Sequence, residues 1–432
     1  MVVCINCTDE KLMGITITDR FFRSMSHKTN KNYITMNNAF LSIVLTAISI
    51  STNSYAEDDR DKRFPVDSTY ESNIQSSRLV GTLTNLHNII DRCEINPSPN
   101  PTVLEKNYTL EDLKYKKIFG QGLLSDFEKD SDMLGITMVD NGIVVRQKFF
   151  KERKLTDVMP SFSMSKSLVS LLIGAAYDDG SIESLDDKAG KYSDNLKDTP
   201  YGDVKIVNLL RMSSGVPFSE DYSANSDIAQ FSFGSIGSNS NVVDSIKKFN
   251  RVSKNEGMSF NYASIETAVL AELLRGKVGN LCEYFEKKIW QPIGASSKAY
   301  WAVDSNGKVA GHAFFMSQQD DFVKIGIMLA NNGFVNNKQV ISKEYLDLAT
   351  LVSKQPEGFQ VGKVNRISGY GFQMWLSPTP GIYSMWGVRG QRMYIDTNSK
   401  RVMLINSAWQ NHIDQIGTYK IDQIFKSFVK TE

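Results

Sequence analysis

A serine and a lysine three residues apart have the spacing of a nucleophile and its base. Ser163 and Lys166 lie near the start of the segment from Ser161 to Gly180, and residues three apart share one face of a helix. A serine hydroxyl becomes a good nucleophile only when a base takes its proton. Burial disfavours the charged form of a lysine, so a neutral Lys166 can act as that base. The pair therefore indicates acyl transfer by an activated serine.

Spacing alone is weak evidence, because the same pattern recurs in the chain. It occurs at three other places: Ser245–Lys248, Ser305–Lys308 and Ser427–Lys430. Only Ser163 stands before a segment that is apolar almost all round, from Leu168 to Ala176, and such a segment predicts a core helix. The alternative interpretation is an ordinary helix start capped by Ser161 or Ser163.

A tyrosine further along the chain has the surroundings of a proton relay. Tyr262 and Ser264 follow Gly257 and Phe260, and the pattern from Ile265 to Arg275 predicts a helix directly after them. A phenol near a lysine can hold and pass a proton, so Tyr262 is a candidate to protonate a leaving group or to activate water. The alternative is a core tyrosine in a loop before a helix.

These motifs resemble those of the serine β-lactamase and penicillin-binding protein superfamily. The resemblance begins at about residue 130, includes Ser163-Met164-Ser165-Lys166, and is greatest for the class C β-lactamase-like branch of family VIII esterases and 6-aminohexanoate-dimer hydrolases. It implies an α+β fold of the β-lactamase/transpeptidase type, with an antiparallel sheet flanked by helices and a helical subdomain at about 185–305. It also implies an acyl-enzyme on Ser163, with Lys166 as base and Tyr262 as proton relay, and no cofactor or metal.

The third motif of the family differs in this chain. Where β-lactamases have Lys-Thr-Gly, the segment from Tyr383 to Gln391 contains Trp386-Gly387-Val388-Arg389. The missing lysine is the cation that pairs with the carboxylate of a β-lactam, so the resemblance favours a small ester, an amide or a short peptide as substrate. Two backbone amides must meet the oxyanion; Ser163 would supply one, and a residue between Trp386 and Arg389 the other.

Four residues are predicted to contact the substrate. They are Tyr222, Ser264, Trp386 and Arg389. Tyr222 follows from the resemblance of the segment from Leu209 to Tyr222 to 6-aminohexanoate-dimer hydrolases, and Asp227 nearby is a candidate to meet a substrate amine. A short acidic and aromatic surface loop is the alternative interpretation of this segment.

Two other functions remain open at this stage. One is a β-lactamase or D,D-peptidase that acts on cell-wall peptides, and the other is a binding or sensor protein on the same fold. A Ser-His-Asp triad that uses His312 or His412 is also open. Zinc chemistry is disfavoured because the sequence has no His-Glu-x-x-His and no ligand-spaced Cys/His cluster.

The surrounding elements predict one sheet built from both ends of a domain at 111–432. Two hairpins are indicated, one turning at Asp140-Asn141-Gly142 and one joining Gln391–Ile395 to Val402–Ile405. A helix with one apolar face follows from Tyr419 to Val429. Residues 57–110 are predicted to be an irregular leader and residues 216–256 a surface loop region.

Composition and the first residues indicate a soluble exported protein. The net charge is +1, and no long charge run suggests a nucleic-acid partner. Residues 1–56 resemble a signal segment, with an apolar run from Ala39 to Ile50 and small residues before a cut near Ala56. We therefore predict a periplasmic or secreted protein with no stable membrane partner; an uncleaved inner-membrane anchor is the alternative. Cys93 and Cys282 would then form a disulfide or remain free thiols.

Overall fold

The computed structural model describes residues 63–64 and 76–430, except residues 131, 224 and 238. The predicted signal segment therefore lies outside the described residues. The helices in the described part are α1 (Ser76–Asn85), α2 (Leu124–Asp130), α3 (Met164–Asp178), α4 (Ile206–Leu210), α5 (Asp227–Ser235), α6 (Val242–Lys248), α7 (Ser264–Val278), α8 (Leu281–Phe285), α9 (Gln319–Ala330), α10 (Lys343–Thr350) and α11 (Gln415–Phe428). Within the described residues, none of these helices combines the length and apolar character needed to cross a membrane.

The strands form two larger sheets and two small hairpin sheets. They are β1 (Arg92–Ile95), β2 (Lys114–Lys116), β3 (Gln121–Leu123), β4 (Met133–Asp140), β5 (Ile143–Phe149), β6 (Val158–Pro160), β7 (Ala299–Ala302), β8 (Phe315–Gln318), β9 (Phe334–Val335), β10 (Lys338–Gln339), β11 (Gly369–Tyr370), β12 (Trp375–Leu376), β13 (Ile382–Gly387), β14 (Gln391–Asp396) and β15 (Arg401–Ser407).

The main sheet is antiparallel and joins both ends of the predicted domain. Its strand order is β11-β12-β13-β14-β15-β4-β5, and the pairing of β15 with β4 sets Ile405 opposite Ile136. The first hairpin turns through Asn141 and Gly142, whose φ angles are 47° and 86°, as a two-residue turn of this kind requires. The predicted α+β architecture is confirmed.

Helices cover both faces of the main sheet. Side chains alternate along a strand, so Val402 and Leu404 of β15 pack into the core that contains α3 and α9. Met403 and Ile405 point the other way, into the core that contains α11. The predicted apolar face of α11 is buried there: Ile421, Ile424, Phe425 and Phe428.

A second sheet, with the order β1-β7-β8-β6, was not predicted. Its strand β1 pairs with β7, and Cys93 on β1 forms a disulfide with Cys282 on α8. Part of the segment predicted to be an irregular leader is therefore ordered as α1 and β1. The sequence signal was weak because β1 has only four residues and its partner strand is about 200 residues away.

The Ser/Asn/Gly-rich segment at 216–256 also differs from the predicted surface loop. It contains α5 and α6, and their N-termini are capped by the side chains of Ser226 and Asn241. Phe231 of α5 is fully buried and its ring lies 6.0 Å from that of Phe249. This compact helical region forms one wall of the cavity described below.

Candidate active site

The backbone before Ser163 turns sharply into helix α3. Ser161 is held to the second sheet because its N–H donates to the carbonyl of Phe315 (2.7 Å). Phe162 then has a φ of 46°, in the left-handed region that non-glycine residues adopt at a cost of about 1–3 kcal/mol. Its buried ring packs against Phe314, with ring centroids 5.4 Å apart. This turn leaves the half-buried Ser163 as the N-cap residue of α3.

Ser163 and Lys166 lie in hydrogen-bonding contact. Lys166 Nζ is 3.0 Å from Ser163 Oγ and donates to the carbonyl of His312 at 2.8 Å. Lys166 is 1% exposed, and this burial lowers its pKa to about 8 although the negative charge of Glu220 acts in the opposite direction. The pair therefore combines a hydroxyl with a lysine that loses its proton at only mildly alkaline pH.

Other serines of α3 explain why a buried helix contains so many hydroxyls. Ser165 Oγ donates to the carbonyl of Gly311 (2.9 Å), and Ser167 Oγ donates to that of Gln373 (2.6 Å). Ser170 Oγ is 3.0 Å from the hydroxyl of Tyr345. These bonds fasten the helix to the neighbouring segments and so fix the positions of Ser163 and Lys166.

Tyr262 also lies close to Ser163 and Lys166. Its ring centroid is 5.3 Å from Lys166 Nζ. Burial, followed by the charge of Glu220, raises the pKa of Tyr262, whereas a hydrogen bond with the Ser163 side chain acts in the opposite direction. The phenol is therefore neutral and can donate a proton. Its ring stacks on Trp375, with ring centroids 5.7 Å apart.

A small cavity of about 40 Å³ opens in front of Ser163. One part of its lining is apolar: Phe162, Ile228, Ala313, Phe314 and Val388. The other part contains the ionisable and hydroxyl groups: Ser163, Lys166, Glu220, Tyr222, Ser232, Ser264, His312 and His412. A cavity of this size holds a few non-hydrogen atoms beside Ser163.

The end of β13 lies directly against the turn from Ser161 to Ser163. A Cβ on Gly387 would be 2.5 Å from the carbonyl oxygen of Ser161, so only glycine allows this approach. Of the segment predicted to supply the second oxyanion amide, Val388 lines the cavity. The N–H of Arg389 donates instead to the carbonyl of His412 (2.9 Å).

The predicted substrate contacts fall into two groups. Tyr222 and Ser264 line the cavity. Trp386 does not line it, and its ring stacks on that of Trp375 with centroids 4.5 Å apart. Arg389 is placed differently from the prediction: it is buried, and its guanidinium donates to the carbonyls of Trp409 and Gln410, both at 2.8 Å.

Asp227, the candidate contact for a substrate amine, is bound to another side chain. Its carboxylate accepts hydrogen bonds from both terminal nitrogens of Arg251 and from the N–H of Ser219. Asp227 is the first residue of α5, and an acidic residue in the first turn of a helix is favourable. That position explains the residue type but did not indicate the pairing with Arg251.

Glu220 lines the cavity although the sequence analysis gave it no role, and His412, a candidate for the alternative triad, lines it too. Glu220 accepts a hydrogen bond from the N–H of Ser264 at 2.8 Å. The ring of His412 stacks on Tyr222, with centroids 5.3 Å apart and an interplanar angle of 5°. Burial lowers the pKa of His412 to about 3, so its imidazole is neutral. Glu220 could have been suspected because it lies two residues before Tyr222.

His312, the other histidine considered for the alternative triad, has a different contact at this site. His312 presents its backbone carbonyl to Lys166, and burial lowers the pKa of its imidazole well below the usual range. Within the described residues, no group of His, Cys, Asp and Glu side chains is arranged to hold a metal ion.

Comparison with known proteins identifies the family and the fold of the chain. A family model described as Beta-lactamase matches residues 134–423, and the chain therefore belongs to the β-lactamase family. No curated protein is similar enough in sequence to be matched to it.

Solved structures show the same fold. A protein assigned as a 6-aminohexanoate-dimer hydrolase from Bacillus anthracis is 18% identical, with a TM-score of 0.74 over 87% of this chain and 98% of that chain. A family VIII carboxylesterase is 15% identical, with a TM-score of 0.52 over 70% of this chain and 95% of that chain. EstCE1, a hydrolase with promiscuous acyltransferase activity, is 14% identical, with a TM-score of 0.54 over the same shares.

Proposed function

We propose that the protein is a serine hydrolase that cleaves an ester or amide bond through an acyl-enzyme on Ser163. The 3.0 Å contact between Ser163 Oγ and the buried Nζ of Lys166 is the observation that supports this most directly. The esterase and amide-hydrolase names of proteins with the same fold support the same class of reaction.

In the first half of the reaction, neutral Lys166 takes the proton of Ser163 while Oγ attacks the carbonyl carbon of the substrate. The carbonyl oxygen becomes an oxyanion that faces the N–H groups of Ser163 and Val388. Tyr262 passes the proton from Lys166 to the leaving alcohol or amine, and the carbon–oxygen or carbon–nitrogen bond breaks. The acyl group remains on Ser163.

In the second half, water replaces the leaving group. Tyr262 and Lys166 accept a proton from the water as its oxygen attacks the acyl carbon, and the same two amides meet the second oxyanion. When this intermediate collapses, Ser163 Oγ regains its proton and the carboxylic acid departs. An amine or alcohol in place of water would give acyl transfer by the same steps.

Hydrolysis of p-nitrophenyl butyrate by the full-length chain tests the proposal. Ser163→Ala is expected to remove the activity, because the residual groups supply no nucleophile. Ser305→Ala is the matched control, since it removes the hydroxyl of another serine three residues before a lysine, one that is exposed and bonded to the carbonyl of Ser240. Equal rates for Ser163→Ala and the native chain would overturn the proposal.

The two competing functions give different outcomes in related measurements. Covalent labelling of Ser163 by penicillin, with turnover of nitrocefin, would favour the β-lactamase or D,D-peptidase alternative. Trp386 and Gly387, in place of a lysine and a threonine, weigh against this. A folded chain that neither hydrolyses esters nor reacts with a fluorophosphonate at Ser163 would favour the binding or sensor alternative.

We also propose that the protein acts after export from the cytoplasm. The disulfide between Cys93 and Cys282 supports this, because disulfides persist mainly in oxidising compartments. The experiment is fractionation of cells that produce the full chain, with the N-terminus of the protein in each fraction determined by sequencing. A chain found in the cytoplasm with residues 1–56 intact would overturn the proposal.

A further inference from the structure

Glu220 places a carboxylate inside the cavity that contains Ser163 and Lys166. Its Oε2 accepts a hydrogen bond from the N–H of Ser264 (2.8 Å), and its Oε1 accepts one from the hydroxyl of the same residue. The hydroxyl of Tyr222 donates to Oε1 at 3.4 Å. The carboxylate is therefore held in one orientation by groups from two different segments of the chain.

These contacts connect the elements that position the reacting groups. Ser264 is the first residue of α7, and Tyr262 lies just before that helix. Tyr222 stacks on His412, which follows the last strand of the main sheet. Glu220 therefore does more than close a surface loop, because its side chain lines the same cavity as Lys166.

The charges of Glu220 and Lys166 act on each other across the cavity. The carboxylate raises the pKa of Lys166 against the larger effect of burial, and Lys166 lowers the pKa of Glu220, which burial raises. Other ionisable groups that face this pair are Tyr222, Tyr262, His312 and His412. The guanidinium of Arg392 lies over the ring of Trp386, and its charge opposes the burial that raises the pKa values of Tyr222 and Tyr262.

We propose that Glu220 is a positioning residue of the acyl-transfer reaction: Ser264 and Tyr222 fix its carboxylate in the cavity that it shares with Lys166, where its negative charge stabilises the ammonium form of Lys166. This inference rests on the proposed function. When Lys166 takes the proton of Ser163, it becomes an ammonium ion and the carboxylate stabilises it. When the proton passes on to the leaving group, the pair returns to its starting charges.

The test measures how fast a fluorophosphonate modifies Ser163 as a function of pH, so it needs no knowledge of the natural substrate. In the native chain this rate is expected to rise with pH as Lys166 loses its proton. Glu220→Gln keeps an oxygen for Ser264 but removes the charge, so the midpoint is expected to shift to lower pH by about half a unit or more. Glu220→Asp keeps the charge and is expected to keep the midpoint closer to the native value.

Asp221→Asn is the matched control. It removes a carboxylate from the next residue, which is exposed and bonded to Ser223, and the midpoint is expected to stay unchanged. A native midpoint in Glu220→Gln, or an equal shift in Asp221→Asn, would overturn the inference and leave the proposed function intact. No reaction of Ser163 in the native chain would overturn both.

A second measurement covers the case in which Glu220→Gln does not fold. In the native chain labelled with ¹³C at glutamate carboxyl groups, the Glu220 signal is expected to move at the pH where Ser163 reactivity titrates. Its assignment comes from the signal that disappears in Glu220→Asp. A Glu220 signal that stays constant through that pH range would overturn the inference.

Discussion

Burial shifts the pKa values of the two groups beside Ser163, Lys166 and Tyr262, in opposite directions. It lowers the pKa of Lys166 to about 8 and raises that of Tyr262, because a buried site disfavours whichever form is charged. At mildly alkaline pH a neutral amine and a neutral phenol therefore coexist around one hydroxyl. One can accept a proton while the other donates one, as acyl transfer requires.

The hydroxyl of Tyr262 can be removed without removing its ring. Tyr262→Phe keeps the stacking on Trp375, so we expect kcat for p-nitrophenyl butyrate to fall by about 100-fold with a small change in KM. Steady-state kinetics with Tyr370→Phe provides the control, since that ring belongs to the same aromatic group, 6.1 Å from Tyr262. A kcat within twofold of the native value would show that Tyr262 is not the relay.

Short-range spacing explains which site residues could be predicted. Ser163 and Lys166 are one helical turn apart, so their contact depends on α3 alone. Arg389 was predicted as a substrate contact, but a residue type does not reveal where a long side chain turns. Its guanidinium donates to the carbonyls of Trp409 and Gln410, and Arg389 is not one of the residues that line the cavity. Glu220 approaches Lys166 only through the tertiary fold.

At the scale of the elements, the end of β13 approaches the turn from Ser161 to Ser163 too closely for a side chain at Gly387. Gly387→Ala would place a methyl group 2.5 Å from the carbonyl oxygen of Ser161 and 3.1 Å from the Cβ of Phe162. We expect the strand to move away and the activity to fall by about 10- to 100-fold, since small displacements of catalytic groups have effects of this size.

A matched glycine distinguishes this effect from a general loss of stability. Gly358→Ala meets its nearest neighbour, the carbonyl of Met258, at 3.1 Å, a distance that small adjustments relieve. We expect near-native kcat/KM for Gly358→Ala, and thermal unfolding of both variants serves as the comparison. Native activity in Gly387→Ala would show that the close approach is not required.

Elements with strong local patterns were predicted, and those defined by distant partners were not. The helix from Ile265 to Arg275 lies within α7, and both predicted hairpins are present. Strands β1, β6, β7 and β8 have three or four residues each, too few to show an alternating pattern. Helices α5 and α6 were missed because their Ser- and Gly-rich flanks resemble a loop.

At the scale of the whole molecule, the disulfide links β1 to helix α8, which lies about 190 residues further along the chain. Cys93 and Cys282 are 189 residues apart, and a cross-link over a long loop stabilises chiefly by restricting the unfolded chain. We expect the double variant Cys93→Ser/Cys282→Ser to lose about 2–4 kcal/mol of unfolding free energy. Urea unfolding without reductant measures it.

The native chain with reductant is the companion sample and should lose the same amount of unfolding free energy. Both cysteines lie outside the cavity lining, so ester hydrolysis at 25 °C should persist in the folded variant. An unchanged urea midpoint in both samples would show that the cross-link contributes nothing to stability.

The pairing of β4 with β15 affects how the protein is made. Met133–Asp140 has no neighbour on that side until Arg401–Ser407 has been synthesised, so about 260 residues separate the two halves of one sheet. Contacts of this sequence separation form slowly, and the exposed strand edge must be kept from pairing with other chains meanwhile. A ribosome therefore releases an incomplete sheet, and Ser163 reaches β13 only after nearly the whole chain has emerged.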